Sequence, residues 1–299
     1  MRTVRSLGRN VDPRTGLALG ALCISLSAVF LDLADTTAAT ASAGRCALAW
    51  PVIGALAYRE KRCAGALSLR SSAWAGCCGV LFAGDMLWWT QAIGEIGAGL
   101  STVLVNTQVV VVPLLAWAVD GERVSRRFLL ALPAVVLGVV LTGGVIGHAQ
   151  HGDTVRGTVH AIAAALCYSG FLFLLRRGGK DGLPVQTYAV VLVTAAVTAV
   201  AAAQWWGGLD LTPSWPAVGW LVLVTVTGQL LGWLLVAKLS PRVSSATSSV
   251  LLLLTPVGAL VAGMAVLGER PSGWQLAGAA LVLAAAYAVV ARGRDERGP

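Results

Sequence analysis

Apolar residues dominate the chain in ten long segments that are separated by short polar stretches. Each segment is close to the ~20 residues that a helix needs to cross a bilayer. The segments do not alternate between apolar and polar positions, and a helix satisfies its own backbone hydrogen bonds in lipid. The pattern therefore predicts helices and not a β-barrel. The predicted spans cover residues 16–34, 38–57, 73–93, 98–119, 127–147, 156–175, 184–204, 215–237, 243–267 and 273–291.

The composition indicates an integral membrane protein. Only 12% of the 299 residues are charged, whereas about 25% is typical of a soluble domain. The net charge of +8 comes from basic residues in short segments between the spans, so we expect the lipid bilayer as a partner and no nucleic acid. The six cysteines have no metal-ligand spacing, and we expect neither a metal nor a cofactor.

The distribution of Lys and Arg predicts the orientation. If the amino end is cytoplasmic, the inner segments hold nineteen of the 22 basic residues, the outer segments hold Arg156 and Arg270, and Arg45 lies inside a span. Cytoplasmic loops are the basic ones in membrane proteins. We therefore predict a multi-pass protein of the inner, cytoplasmic membrane with both termini inside. The first span is expected to be retained, because the possible cleavage site at residues 41–43 lies far beyond its apolar core.

A repeat divides the chain into two similar halves. A shift of 147 positions moves Gly121-Glu122-Arg123 onto Gly268-Glu269-Arg270, and the same shift pairs the starts of spans 3 and 8. The pattern predicts two five-helix repeats, 1–147 and 148–299. Because five is odd, the second repeat enters the membrane upside down. The predicted fold is thus an all-α membrane protein with ten transmembrane helices in two inverted repeats, which is typical of transporters.

The two Gly-Glu-Arg turns also carry a family resemblance. Each precedes a final helix rich in small residues, and the second follows the run 251–256, which ends in a proline. With the ten spans and the repeat, the chain resembles the drug/metabolite transporter superfamily, in the group with two EamA domains. The first half departs from the pattern, because Val109 occupies the expected proline position and span 3 carries Asp85. The resemblance implies export of small metabolites or drugs and does not identify a substrate.

Ionisable residues within spans are costly and mark candidate functional sites. Asp85 lies in the middle of span 3 and Arg45 lies within span 2, so the two are either part of a substrate pathway or a structural ion pair. A carboxylate in an apolar medium holds its proton more tightly unless a cation is near, so Asp85 is a candidate for proton coupling. Asp32 and His160 are further candidates, although both lie near outer ends, where the interface can hydrate them.

Polar and aromatic residues follow faces of the remaining spans and are expected to line a central cavity. Interhelical hydrogen bonding is the alternative for the hydroxyl groups, and a lipid-facing position is the alternative for Trp88 and Trp89. The predicted substrate-binding or cavity residues are Arg45, Asp85, Trp89, Asn106, Gln108, Tyr168, Gln229, Trp233, Ser249 and Thr255.

The Gly-Glu-Arg turns themselves are interpreted as tight connectors between helices. Glu122 and Glu269 precede helix starts, where a carboxylate interacts well with the helix dipole and can cap the amino end. We therefore expect structural roles for both residues.

The sequence favours a secondary active transporter that exports a small molecule and is not an enzyme. An uptake permease of the same fold is the alternative within transporters, because alternating access does not set direction. An intramembrane aspartyl protease would use Asp32 and Asp85, but Phe82 occupies the position of the first glycine in its Gly-x-Gly-Asp motif. A non-transporting scaffold is the third alternative. We expect a monomer or a homodimer.

Overall fold

A computed structural model describes residues 12–121, 126–142, 154–178, 182–239 and 251–291. Within these ranges the regular secondary structure is helical. The twelve helices described are α1 Pro13–Leu33, α2 Ala38–Ala64, α3 Leu69–Ile96, α4 Ala98–Val105, α5 Gln108–Asp120, α6 Arg126–Thr142, α7 Thr154–Gly178, α8 Pro184–Ala202, α9 Trp215–Val224, α10 Trp233–Leu239, α11 Leu254–Ala262 and α12 Gly273–Ala291. The stretches Thr225–Gly232 and Gly263–Leu267 are π-helical, and Ala203–Trp205 is a 3₁₀ turn.

Several of these helices are long and apolar enough to cross a membrane. Among the described residues five meet both criteria, and three shorter apolar helices accompany them. The five are Pro13–Leu33, Ala98–Asp120, Thr154–Leu175, Pro184–Trp205 and Trp215–Gly232. Helices α2 and α3 have 27 and 28 residues and carry charged residues along their length. The protein is therefore a multi-pass membrane protein, and the described part of the chain is helical.

The ends of the helices are set by capping residues in the sequence. The side chains of Thr37, Ser68 and Ser214 accept hydrogen bonds from the first turns of α2, α3 and α9. Gly121 and Gly268 end their helices with φ angles of +67° and +68°. This left-handed conformation is a common helix end and favours glycine.

Two helices begin at turns that lie within predicted spans. Asn106 and Thr107 form a turn between α4 and α5, and their side chains donate to the carbonyl oxygens of Thr102 and Leu104 at 2.9 and 2.7 Å. Before α11 the turn is at Leu253, and Pro256 lies in the first helical turn that follows, where its missing N–H is tolerated. The first turn is thus stabilised by side-chain hydrogen bonds, whereas the second turn is followed by a proline.

Small residues allow the helices to approach closely. Gly20 of α1 and Gly232 face each other, because a Cβ on either would lie 3.3 Å from the carbonyl oxygen of the other. In the same way Gly138 of α6 faces Gly278 of α12. Helix α3 packs on α7 and α8, α2 on α8, α6 on α12, and α1 on α11 and on residues 215–239. Such small-residue contacts are typical of membrane helices, in which van der Waals packing stabilises the association.

Candidate functional site

A cavity of about 360 Å³ lies between α1–α5, α7 and α9–α11. The break at Asn106 and the π-helical stretch border it, so irregular backbone occurs where it lines an internal space. The cavity-lining residues are Ile24, Ser27, Arg45, Phe82, Asp85, Met86, Trp89, Thr102, Val105, Asn106, Gln108, Tyr168, Leu172, Val224, Gly228, Gln229, Trp233, Val236, Leu252 and Thr255. Nine of the ten residues that the sequence placed in a cavity are brought together here, and the tenth, Ser249, lies outside the described residues.

Arg45 is the cationic group of the cavity. It lies on α2 and only 4% of its surface is exposed. Its Nε and Nη2 atoms are buried and donate no hydrogen bond within the described part of the chain. Its Cζ lies 5.6 Å from the centre of the Trp89 ring, within the range of a cation–π interaction. The ring therefore partly compensates the charge, while one edge of the guanidinium has no acceptor.

Asp85 supplies the anionic group from α3. It is 8% exposed and interacts electrostatically with Arg45. The ion pairs closer than 4.0 Å among the described residues involve Glu95, and none joins Asp85 to Arg45. The two charges thus face the same cavity without a direct ion pair, which differs from the closed structural pair that the sequence left open as an alternative.

Amide groups form part of the wall. Gln229 accepts a hydrogen bond of 2.7 Å from the Tyr188 hydroxyl, which fixes its carbonyl oxygen, and its amide contacts the Met86 sulfur. The Oε1 atom of Gln108 is buried without a partner among the described residues. Asn106, by contrast, uses its amide to bind its own helix. Gln108 therefore has hydrogen-bonding capacity left for a ligand, whereas Gln229 is partly saturated.

The hydroxyl groups of the cavity are mostly satisfied by backbone. Thr102 donates to the carbonyl of Ala98 at 2.7 Å, and Thr255 donates to that of Ala21 at 3.4 Å. The Thr255 bond joins two helices and matches the alternative interpretation of interhelical hydrogen bonding, whereas the Thr102 bond stays within α4. Thr255 joins α11 to α1, so it both lines the cavity and links two helices.

Aromatic rings form much of the remaining wall. Trp89 lines the cavity with its indole N–H buried and unpartnered within the described ranges. Its neighbour Trp88 packs on Trp206 and on His160, with ring centres 4.8 and 4.9 Å apart. Tyr168 contacts Trp233 edge to face across the cavity wall. Trp89 thus lines the cavity, and Trp88 packs on protein side chains.

Two of the candidates for proton coupling lie away from the cavity. Asp32 is half-buried near the end of α1. His160 contacts Glu95, with 2.6 Å between its Nδ1 and the carboxylate, and Arg156 binds the other oxygen of Glu95 at 3.3 Å. Glu95 was missed in the sequence because it lies just beyond the predicted end of span 3.

Two cavity-lining residues of α3, Phe82 and Met86, were not predicted from the sequence. Phe82, Asp85, Met86 and Trp89 all line the cavity. Their spacing of three and four residues places them on one helical face, so the pattern was available in the sequence. Tyr188 could not be found in this way, because its contact with Gln229 joins residues 41 positions apart.

Glu269, in the second Gly-Glu-Arg turn, contacts a helix that is distant in sequence. Its carboxylate accepts hydrogen bonds from the backbone N–H groups of Ala98 and Gly99, at 2.5 and 3.2 Å, and so caps α4 in the first half of the chain. The following helix, α12, is capped instead by Ser272 and Gln275, whose side chains bind each other's backbone N–H groups. The carboxylate of Glu269 thus has a structural contact, and the hydrogen bonds place it on α4 in the other half of the chain. Glu122 lies outside the described residues.

Removing the Glu269 carboxylate is expected to destabilise the fold. Glu269→Ala leaves the N–H groups of Ala98 and Gly99 without this acceptor, which costs about 1–3 kcal/mol for a buried donor. The variant should therefore unfold at a lower temperature in detergent. Arg270→Ala is the control, because Arg270 is exposed next to it. Equal melting temperatures of the two variants would show that the cap does not stabilise the protein.

Comparisons with known proteins agree with the fold. The model of the EamA-like transporter family matches the chain twice, over residues 15–144 and 155–291. A solved crystal structure is similar to this chain with a TM-score of 0.58 and 17% identity, covering 95% of this chain and 99% of that chain. At this identity the likeness concerns the fold alone. No curated protein matches the chain. Since the two family matches together span most of the sequence, the chain belongs to the EamA-like transporter family.

Proposed function

We propose that this protein is a secondary active transporter that exports a small metabolite or drug-like compound by alternating access. The observation that carries the proposal is the cavity, which is lined by the buried side chains of Arg45 and Asp85 and by residues from both parts of the chain. Ionisable groups are expensive inside a membrane and mark substrate pathways. A scaffold without transport would gain nothing from such a site.

The proposed architecture has ten spans in two inverted repeats. The repeat shift of 147 residues places Gly121 on Gly268, and their φ angles differ by one degree. The same shift places Asn106, in the break of the fourth span, on Leu253, in the turn before α11. Equivalent positions in the two halves therefore have equivalent backbone conformations. This agreement supports a duplicated unit beyond the short Gly-Glu-Arg motif.

Helix packing supports the same architecture. In the proposed numbering of spans, span 1 packs on span 8 and span 3 packs on span 6. In the repeat, span 1 is equivalent to span 6, and span 3 is equivalent to span 8. The contact of span 1 with span 8 is therefore equivalent to the contact of span 6 with span 3. The contacts of span 2 with span 7 and of span 5 with span 10 are each unchanged when the two halves are exchanged. Such pairing is expected from a pseudo-two-fold axis and allows the halves to rock about a central site.

The inverted topology predicts opposite sides for the two Gly-Glu-Arg turns. Arg123→Cys and Arg270→Cys, each in a background without the six native cysteines, place a thiol at equivalent positions of the repeat. A membrane-impermeant maleimide added to intact cells should label position 270 and leave position 123 unlabelled until the membrane is permeabilised. Labelling of both positions from the same side would exclude the inverted repeat and the cytoplasmic termini.

Transport itself is tested by counterflow in proteoliposomes. A thermal-shift screen against metabolites, amino acids and toxic cations first selects a solute that stabilises the protein. Vesicles loaded with that solute should then take up the labelled form faster than empty vesicles. A channel would show flux without acceleration, and a scaffold would show no flux. Comparison of inside-out with right-side-out vesicles under a proton gradient then distinguishes export from uptake.

A further inference from the structure

We propose that the turn between α2 and α3 binds the headgroup of an anionic phospholipid through four basic side chains, Arg59, Lys61, Arg62 and Arg70. All four are exposed. Between the first and the last of them, Glu60 is the only acidic residue. None of the four lines the cavity, so the site is separate from the proposed transport pathway and does not depend on the transported solute.

Glu60 does not neutralise these cations. Its carboxylate accepts hydrogen bonds from the backbone N–H groups of Val185 and Gln186, at 3.3 and 2.8 Å, in the first turn of α8. The ion pairs closer than 4.0 Å among the described residues involve Glu95 instead. The charge of Glu60 is thus directed to the amino end of α8, where the helix dipole stabilises it. The four cations therefore have no carboxylate partner in the described part of the chain.

The turn that carries the cations is held against α8. The Gln186 side chain is buried; its amide N–H donates to the carbonyl oxygen of Gly65 at 2.9 Å, and its carbonyl oxygen accepts from the N–H of Leu67 at 3.1 Å. Ser68 then caps α3 by accepting a hydrogen bond from the N–H of Ser71. The ends of α2 and α3 are therefore fixed relative to each other. Cations on a fixed turn lose less conformational freedom on binding than cations on a free loop.

The outward face of α2 leads from apolar side chains to this turn. Four exposed residues lie on one helical face, at spacings of three and four residues: Pro51, Ala55, Tyr58 and Arg62. Tyr58 is 61% exposed, and the Arg62 guanidinium lies over its ring at 5.8 Å from the ring centre. Tyrosine prefers the membrane–water interface. Because Arg62 lies one helical turn beyond Tyr58, roughly 6 Å along the axis, we expect it at the level of the headgroups.

An exposed apolar side chain beside the cations favours a lipid over a soluble anion. Leu69 lies between Arg62 and Arg70 in the sequence and is 88% exposed. An inorganic anion would contact only the basic groups, whereas a phospholipid places its phosphate on the cations and its glycerol and upper acyl chains on Leu69 and Tyr58. The predicted orientation puts this turn at the cytoplasmic leaflet, which carries anionic lipids. A zwitterionic headgroup would bring its own cation towards the basic side chains, so the site favours a net negative headgroup.

The test measures where and how tightly phosphatidylglycerol binds. Cys63 is exposed and follows Arg62 directly, so in a background without the other cysteines its thiol reports on the site. Phosphatidylglycerol in the micelles should slow its reaction with an uncharged maleimide. Native mass spectrometry should show that the first bound phosphatidylglycerol is held more tightly than phosphatidylcholine. Equal affinity for the two lipids, or no protection of Cys63 by phosphatidylglycerol, would overturn the proposal. Equal protection by inorganic phosphate alone would also overturn it, because the ligand would then be a free anion.

Charge variants assign the binding to this turn. Arg62→Gln with Arg70→Gln should weaken the first bound phosphatidylglycerol roughly tenfold or more, because each basic group at a membrane surface contributes about fivefold. It should also abolish the protection of Cys63. Arg62→Lys with Arg70→Lys keeps both charges and should retain the protection. Arg14→Gln with Arg270→Gln removes the same charge from exposed positions elsewhere and should leave both measurements unchanged. Protection that persists in the glutamine variant, or that is lost equally in this control, would overturn the assignment to the turn.

Discussion

Replacing Asp85 by asparagine is expected to abolish proton-driven transport. The substitution keeps the size of the side chain and removes its ability to bind and release a proton. Asp85 is the buried carboxylate of the cavity, so its protonation can change as the cavity opens to either side of the membrane. Flux in proteoliposomes should no longer respond to a proton gradient. Exchange of substrate at saturating concentration should persist, because it needs no net proton movement.

Substitutions of two ionisable residues outside the cavity provide the controls. Asp32→Asn changes a carboxylate that does not line the cavity, and His160→Gln changes a group that contacts Glu95 and Trp88 instead. Both variants should keep the response to the proton gradient. If Asp85→Asn retained proton-driven flux while either of these variants lost it, coupling would have to be assigned to the outer groups. Unchanged flux in all three would leave no role for these residues in coupling.

The helical organisation could be predicted well because it depends on local properties of the chain. Apolar length, basic loops and capping residues act within a few residues, and the predicted segments contain or overlap the described helices. The ends were less predictable. Helix α2 continues to Ala64 and includes Arg59, Lys61 and Arg62, because a helix continues past the apolar region until a residue such as Gly65, with a φ of +91°, ends it.

Part of the site could be predicted because a polar residue within a long apolar segment is recognisable in the sequence. Asp85, Arg45 and Gln229 stand within apolar segments, and each lines the cavity. Pairings between distant residues could not be predicted. The contact of Glu269 with Ala98 joins positions 171 residues apart, and only the packing of α4 near the second turn brings them together. The orphaned edge of Arg45 is likewise a property of geometry, because the sequence indicates a charge but not which of its donors are satisfied.

Replacing Gly278 by alanine is expected to destabilise the protein strongly. A Cβ at this position would lie 2.6 Å from the carbonyl oxygen of Gly138 and 2.6 Å from the backbone nitrogen of Thr142. Both atoms belong to the backbone of α6, so no side chain can move aside and the two helices must separate. Overpacking of this kind costs about 1–3 kcal/mol or more. The variant should therefore melt at a clearly lower temperature in detergent, or fail to accumulate as folded protein.

Gly219→Ala is the matched control, and its expected effect has the opposite sign. Gly219 lies in helix α9, and a Cβ there would meet nothing within 4 Å. Alanine reduces the conformational entropy of the unfolded chain and favours a helix by roughly 0.5–1 kcal/mol over glycine. The control should thus melt at the same or a slightly higher temperature. Because both variants add one methyl group to a helical glycine, a lower melting temperature of Gly278→Ala alone would measure the close contact of α6 with α12. Equal effects of the two substitutions would show that this contact does not hold the fold together.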